Sequence, residues 1–431
     1  MPAAPDFTVS PASRLRAALC SPLLPYWLVV ALLPFGRSAE LGTALCLLGT
    51  LLLFARHPGA LREHAGARLL LWLLGAYVLA ALISCFGAVA PARSWTVTAS
   101  LLRYAPLGLY ACYAMRREAA LHRLFHAVAW LLAFWTLDAW MQALTGYSLA
   151  GHAQAVRLTG IFGADDPKLG PVLAVLSPFA LWAARARFGR LGLLLAFVGL
   201  LVPILLAGSR AAWLCYALVA VAFALREAHT PRRAWALLAL GAVTVILAMG
   251  VSWSVSPRFH ARMERSLALF NGTEQGVDTA VSGRLDIWRA SMRMVAAHPF
   301  DGVGVRGFRY AYPRFAPATD HFVVAESCGV GEGACHAHQI VLEVLTETGA
   351  VGLVLWLAAV VLAVRAWRRV GTAARARAFP ATVALGVMLF PLNTHLAFYS
   401  AWWGLLFAWL LGLWCAALYV LPDQAGIGDG A

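Results

Sequence analysis

The sequence predicts an all-α integral membrane protein with about twelve transmembrane helices and one large helical loop on its outer face, and three observations carry this. Of its 431 residues, 61% are hydrophobic and 13% are charged, a balance that no soluble globular surface tolerates. The apolar residues come in long continuous runs rather than in period-two alternation, which sets aside the strands of a membrane barrel. Arginines gather in every second connection between the runs, as they do in cytoplasmic loops.

In chain order the runs cover residues 20–36, 41–54, 69–89, 99–115, 124–144, 169–184, 191–207, 211–225, 234–253, 339–364, 379–392 and 401–418. Each is read as a span on the criterion of about 20 apolar residues. The first carries Pro22, Pro25 and Pro34 and has no small-residue cleavage site, so it reads as a span and not as a signal peptide. Arg56, Arg62 and Arg68 follow the second run, Arg116, Arg117 and Arg123 the fourth, and Arg185, Arg187 and Arg190 the sixth. Arg226, Arg232 and Arg233 follow the eighth, and five arginines from Arg365 to Arg377 follow the tenth. These loops, with Arg14 and Arg16, are assigned to the cytoplasm, which leaves 146–168, 208–210, 254–338 and 393–400 on the outer face. The chain is therefore divided into helices one to nine (1–253), an outer catalytic loop (254–338), helices ten to twelve (339–421) and a short cytoplasmic tail (422–431).

The outer segments hold the residues suited to chemistry. Lys168 is the only lysine in a chain of net charge +14, and arginine is the cation that captures phosphate with two parallel hydrogen bonds. Arg210 sits in the tight turn Gly208-Ser209-Arg210-Ala211, where it can either meet an anionic headgroup or anchor a helix end. Residues 257–270 read as a helix that puts Arg258, Arg262 and Arg265 on one face, either a solvated stripe or an electropositive wall. A second helix, 282–297, has Ser282 as its expected cap and Arg284 in its first turn, where an anion is favoured.

Gly302, Gly304 and Gly307, which flank Arg306, fit a tight turn better than a dinucleotide fingerprint, because no strand precedes them. Cys328 and Cys335 bracket a Gly-rich loop and are expected to form a disulfide on an oxidising face. His336 and His338 follow; without a third ligand at a recognisable spacing, a single histidine acting as base is favoured over a metal pair. Glu343 and Glu347 lie one turn apart at the outer end of the tenth run, as functional carboxylates or as partners of arginines such as Arg103.

The order of these motifs resembles the O-antigen ligase and polymerase superfamily. The resemblance rests on Gly208 to Ala211 between two central spans, Gly283-Arg284 to Trp288 and Gly302 to Gly304 in the outer loop, His338 opening the next span, and Glu343 to Leu353. It implies a GT-C-like membrane fold and an inverting, metal-independent glycosyltransferase without a cofactor. The implied donor is a glycan on undecaprenyl pyrophosphate, and in the ligase branch the acceptor is a sugar hydroxyl of the lipid A core. Arg210 and Arg284 would then hold the pyrophosphate, with Arg258, Arg262, Arg265, Arg306 and His336 also at the substrates, and His338 would deprotonate the acceptor. Gln339 stands where many relatives have Asn.

The expected partners are these two substrates and membrane lipids, with no nucleic acid, in a bacterial inner membrane whose periplasmic side carries the site. An O-antigen polymerase or a protein O-oligosaccharyltransferase would use the same donor. A transporter of lipid-linked glycans would need ionisable groups near the midplane, where the sequence offers little beyond Asp138.

Overall fold

The computed structural model describes residues 21–59, 64–152, 157–163, 167–255, 257–273, 276, 278, 283–394 and 396–423, with the backbone alone at 255, 257, 258, 269 and 271. Arg14, Arg16, Cys20, Arg62, Ser282, the tail from 424 and the side chain of Arg258 lie outside what is described.

The first part of the chain forms α1 (Leu24–Ala31), α2 (Ala39–Arg56), α3 (Ala65–Ser84), α4 (Pro91–Leu101), α5 (Tyr104–Ala114) and α6 (Glu118–Thr145). A two-residue hairpin, Tyr147–Ser148 with Gly151–His152, leads to α7 (Leu169–Leu206), α8 (Arg210–Glu227) and α9 (Pro231–Val255). The outer loop holds α10 (Pro257–Leu267), α11 (Arg284–Ala297), α12 (Phe308–Phe315) and α13 (His321–Val324), and α14 (Ile340–Arg369), α15 (Thr372–Met388) and α16 (Ala401–Leu418) close the bundle.

Among the described residues seven helices are long and apolar enough to cross a membrane, so the chain is an all-α, multi-pass membrane protein. One of the seven is α7, and it does not run straight. Gly189 adopts φ 68° and ψ −153°, a conformation that glycine reaches at little cost, and the chain folds back there. A Cβ built on Gly170 would lie 2.8 Å from Ala207 Cβ, so the start of α7 is beside its end and the two halves run antiparallel. The runs 169–184 and 191–207 are thus separate passes joined by one residue.

Of the other expected spans, 211–225 and 379–392 form α8 and α15, which are not among the seven, and 20–36 and 99–115 are interrupted. The first is helical only over α1, because Pro34 and Gly36, at φ 64°, end it. The run 99–115 breaks at Leu102 and Arg103 into α4 and α5, where tight turns bond Leu102 N to Ala99 O and Ala105 N to Leu102 O.

The bundle is built around α16, whose apolar window is 89% buried. Trp409 on this helix donates from Nε1 to Tyr26 O at 2.9 Å while the Tyr26 hydroxyl donates to Trp409 O, so α1 and α16 satisfy each other's polar groups inside the apolar core. Around them α6 packs on α7, α7 on α8, and α3 on α14.

Loops rich in arginine meet at one end. Arg185 Nε donates to Glu227 at 2.8 Å, Arg226 Nη2 to Ala376 O at 3.4 Å, and Arg377 Nη1 lies 3.6 Å from Glu118. At the other end the outer loop forms its own small core, in which Ile287, Met294, Phe308 and Tyr312 are fully buried together with Ala337. That core lets the loop hold a shape instead of draping over the membrane.

Glu343 and Glu347 are fully buried between this core and the bundle. They do not pair with Arg103, which sits 2.9 Å from Glu40 instead. Glu347 accepts the backbone N–H of Arg306 at 2.8 Å and Glu343 that of Tyr399 at 3.5 Å, so the two carboxylates tie the glycine-rich turn and the last outer loop to α14. Glu347→Ala leaves the Arg306 N–H unpaired in a buried place, and a loss of about 1–3 kcal/mol is expected. Thermal unfolding in detergent checks it: Glu347→Ala should melt below the parent, with Glu347→Gln between them, and an unchanged midpoint would show that the turn does not depend on this bond.

Candidate functional site

Three outer segments meet at His338. It lies just before α14 with φ 54°, a left-handed conformation that a residue with a side chain adopts at a cost of roughly 1–3 kcal/mol and that concentrates at functional sites. The surroundings hold it there. Trp288 on α11 donates from Nε1 to the carbonyl of Ala337 at 3.1 Å, and Gln339 caps α14 by accepting from Leu342 N, which gives Gln339 a structural partner within its own helix. On the other side of the ring, Nδ1 lies 2.9 Å from the carbonyl oxygen of Thr394, in the loop before α16.

A carbonyl oxygen only accepts, so Nδ1 carries the hydrogen and Nε2 keeps the lone pair. Nε2 of His338 is thereby the ring nitrogen able to accept a proton. Burial lowers its pKa to about 4, helped by the positive charge of Arg284, so the ring is neutral at neutral pH. The His336 ring lies 3.8 Å from it, centroid to centroid, and partly covers it.

Arg284 opens α11 after Gly283, which takes the cap position at φ 72°. Its Nη1 donates to the hydroxyl of Thr394 at 3.1 Å, so one threonine contacts the cation with its side chain and the base with its backbone. Arg210 is the first residue of α8 and its Nη1 lies 3.4 Å from Ser266 Oγ at the end of α10. Arg262 is drawn against the Gly208 turn: a Cβ built on Gly208 would fall 2.7 Å from Arg262 Nε, so only a glycine admits the guanidinium there. This explains the glycine of the Gly-Ser-Arg turn as a contact surface for α10.

Arg284 and Arg262 are both brought down to about 10, first by burial and then by other arginines. For Arg284 these are Arg210 and Arg157; for Arg262 they are Arg157, Arg265 and Arg210. Among the described residues no carboxylate relieves either one, and both remain cationic at neutral pH. Five guanidiniums are therefore linked by mutual repulsion in one cluster, which reaches His338 through Arg284, an arrangement whose repulsion an anion with several charges would relieve. Arg157, in the connection before α7, is the member that the reading of the sequence passed over. Its only local signal is that it is one of the few charges in an outer segment.

Arg306 lies elsewhere. Its φ is 58°, its N–H is held by Glu347, and its charge faces Glu343 and Glu347. Its neighbour Arg309 is 3.4 Å from Glu332. These two arginines thus have carboxylates beside them, in contrast to Arg284 and Arg262, whose charged neighbours among the described residues are other arginines.

The helix expected over 257–270 is α10 up to Leu267 and a 3-10 turn beyond it, with Arg262 and Arg265 on the shared face. Cys328 and Cys335 form a disulfide, Cα to Cα 5.2 Å, that closes the loop immediately before His336. No three His, Cys, Asp or Glu side chains gather as a metal site among the described residues.

Residues 195–357 match the family model described as O-antigen ligase. The matched stretch runs from the second half of α7 into α14 and includes Arg210, Arg262, Arg265, Arg284 and His338, while Arg157 and Thr394 fall outside it. No curated protein matches the chain.

Proposed function

With membership of the O-antigen ligase family as the premise, supported by the match over residues 195–357, we propose that this chain is a membrane glycosyltransferase that moves a glycan from undecaprenyl pyrophosphate to a sugar hydroxyl of the lipid A core. The observation that carries the reading is a neutral, oriented histidine beside Arg284, which belongs to a cluster of arginines with Arg210, Arg157, Arg262 and Arg265.

In the proposed reaction the acceptor oxygen attacks the anomeric carbon from the face opposite the pyrophosphate, and the bond to the pyrophosphate oxygen breaks as the new glycosidic bond forms. One displacement inverts the anomeric configuration. The hydroxyl proton passes to His338 Nε2, and the electron pair of the broken bond leaves with the pyrophosphate. Arg284 and Arg210 hold that group, and Arg262, Arg265 and Arg157 add positive charge around it, so the developing negative charge meets guanidiniums that are already in place. The same fixed charge is what supports a reaction without a divalent ion.

Donor and base are coupled. Arg284 helps to keep the pKa of His338 low, and a bound pyrophosphate offsets Arg284, so His338 becomes a stronger base when the donor is in place. The arginine loops that gather at the opposite end of the bundle support an inner-membrane orientation with the site toward the periplasm.

The test is transfer by purified protein from undecaprenyl-pyrophosphate glycan to lipid A core in excess EDTA. Glycan-bearing lipid A is the expected product. Lengthening of the donor glycan alone would move the chain to the polymerase branch, and transfer only to a protein acceptor would make it a protein O-oligosaccharyltransferase.

A further inference from the structure

The helix α9 packs loosely against α7 and α8. None of the residues in the most apolar stretch of α9 is buried, and Val245, Ala248 and Met249 rest only partly buried against the main core. Between residues 233–244 of α9, the second pass of α7 and α8 lies a cleft of about 290 Å³.

Three helix faces line the cleft, each apolar along its length and charged at one end. On α7, Arg190 is followed by Leu194 and Phe197, one and two turns on. On α8 the order is reversed, and Phe223 and Ala224 precede Glu227. On α9, Arg233 is followed by Leu237, Gly241 and Thr244.

The charges come together. Arg190 Nε is 3.7 Å from Glu227 Oε2, while Glu227 Oε1 is already taken by Arg185 at 2.8 Å. Arg233 has no salt bridge among the described residues, so the mouth carries more positive charge than Glu227 offsets. From Arg233 to Thr244 the helix rises about 16 Å, close to half of the roughly 30 Å hydrocarbon thickness of a bilayer.

We propose that this cleft holds one glycerophospholipid of the cytoplasmic leaflet, with an acyl chain along the three apolar faces and its phosphate at Arg190 and Arg233. The depth matches one leaflet, the cationic mouth matches a phosphate, and the apolar walls match an acyl chain. In a membrane, dispersion contacts hold helices together, and a chain in this cleft supplies those that α9 lacks with its own neighbours. The consequence reaches the other face. α9 runs almost directly into α10, so the lipid helps to set where Arg262 and Arg265 stand. The proposal does not depend on the transfer reaction.

The experiment uses the full chain in nanodiscs of phosphatidylcholine containing a minor fraction of phosphatidylglycerol with a photoactivatable group on its acyl chain, followed by peptide mapping after irradiation. Labels are expected on the facing walls of α7, α8 and α9. The variant Arg190→Gln with Arg233→Gln should lower that labelling about tenfold or more, since each arginine near a membrane surface attracts anionic lipid by about 1 kcal/mol.

Gly241→Trp is the second variant. A Cβ on Gly241 meets no heavy atom within 4 Å, so the ring can enter the cleft and should exclude the lipid. Labels spread evenly over the lipid-facing helices, or unchanged in both variants, would overturn the proposal. A photoactivatable diacylglycerol, which has no phosphate, should label the cleft weakly; equal labelling by it would also overturn the assignment.

Discussion

His338→Ala is expected to lower glycan transfer by about 10²–10⁴-fold, the range that a positioned general base contributes, with little change in folding. The ring bonds to the Thr394 carbonyl and lies beside His336, and removing it leaves the outer core of Ile287, Phe308 and Tyr312 untouched. Single-turnover transfer of a labelled glycan reads the loss, and thermal unfolding reads the fold. Transfer at the parent rate would remove His338 from the chemistry.

The same residue dictates a pH profile. In the proposed reaction the neutral ring is the active form, and burial together with Arg284 lowers its pKa to about 4. Activity is therefore lost as pH falls, and kcat/KM, which reports the free enzyme, should hold through the range near 6.5 where an ordinary histidine protonates and fall only as the pH approaches 4. Replacing Arg284 with Gln removes the second cause of the lowering, so the acid limb should move up toward 6.5. A limb already at 6.5 in the parent would mean that the ring is not buried beside a cation in the working protein.

Arg284→Ala is the second large effect, an expected loss of about 10²–10³-fold that falls on kcat more than on KM. In the proposed reaction charge on the pyrophosphate grows as the glycosidic bond breaks, so a cation in contact with it acts mostly in the transition state. Arg284→Lys should recover only part of the rate: lysine keeps the charge but loses the planar fork and the reach to Thr394 Oγ1. Arg210→Ala should cost less than Arg284→Ala, because Arg157, Arg262 and Arg265 remain around the position it leaves. Steady-state transfer against donor concentration separates the two constants. A rise in KM with kcat unchanged for Arg284→Ala would make it a residue that only gathers the donor.

Much of the bundle could be read from the chain alone, because spans and loops depend on local properties. A run such as 401–418 is helical whatever surrounds it, since no unpaired backbone group survives in lipid. Arg185 and Arg226 declare a shared side by their charge, and the structure brings their loops together through Glu227 and Ala376. Short breaks were harder to see. In 99–115 the marks are small: Arg103 is the one charge in the run, and Pro106 cannot donate to the carbonyl of Leu102, where the helices separate.

For the site, the sequence by itself determined which residue types were available on the outer face: Arg210 and Arg284 in turns or first helical turns, Arg262 and Arg265 one turn apart, and His338 before a span. Periodicity and charge are properties of neighbours along the chain, and these sufficed. Only the tertiary structure decided that Arg157 joins the cluster, that Arg306 stands with Glu347 instead, and that Thr394 joins cation to base. The physical reason is the same in each case. An arginine in a phosphate site and one in an ion pair have identical local sequence requirements, and the difference lies in whether a carboxylate from a distant segment reaches them. A carbonyl that sets the tautomer of His338 belongs to the backbone, which every residue possesses, so it leaves no mark on the sequence.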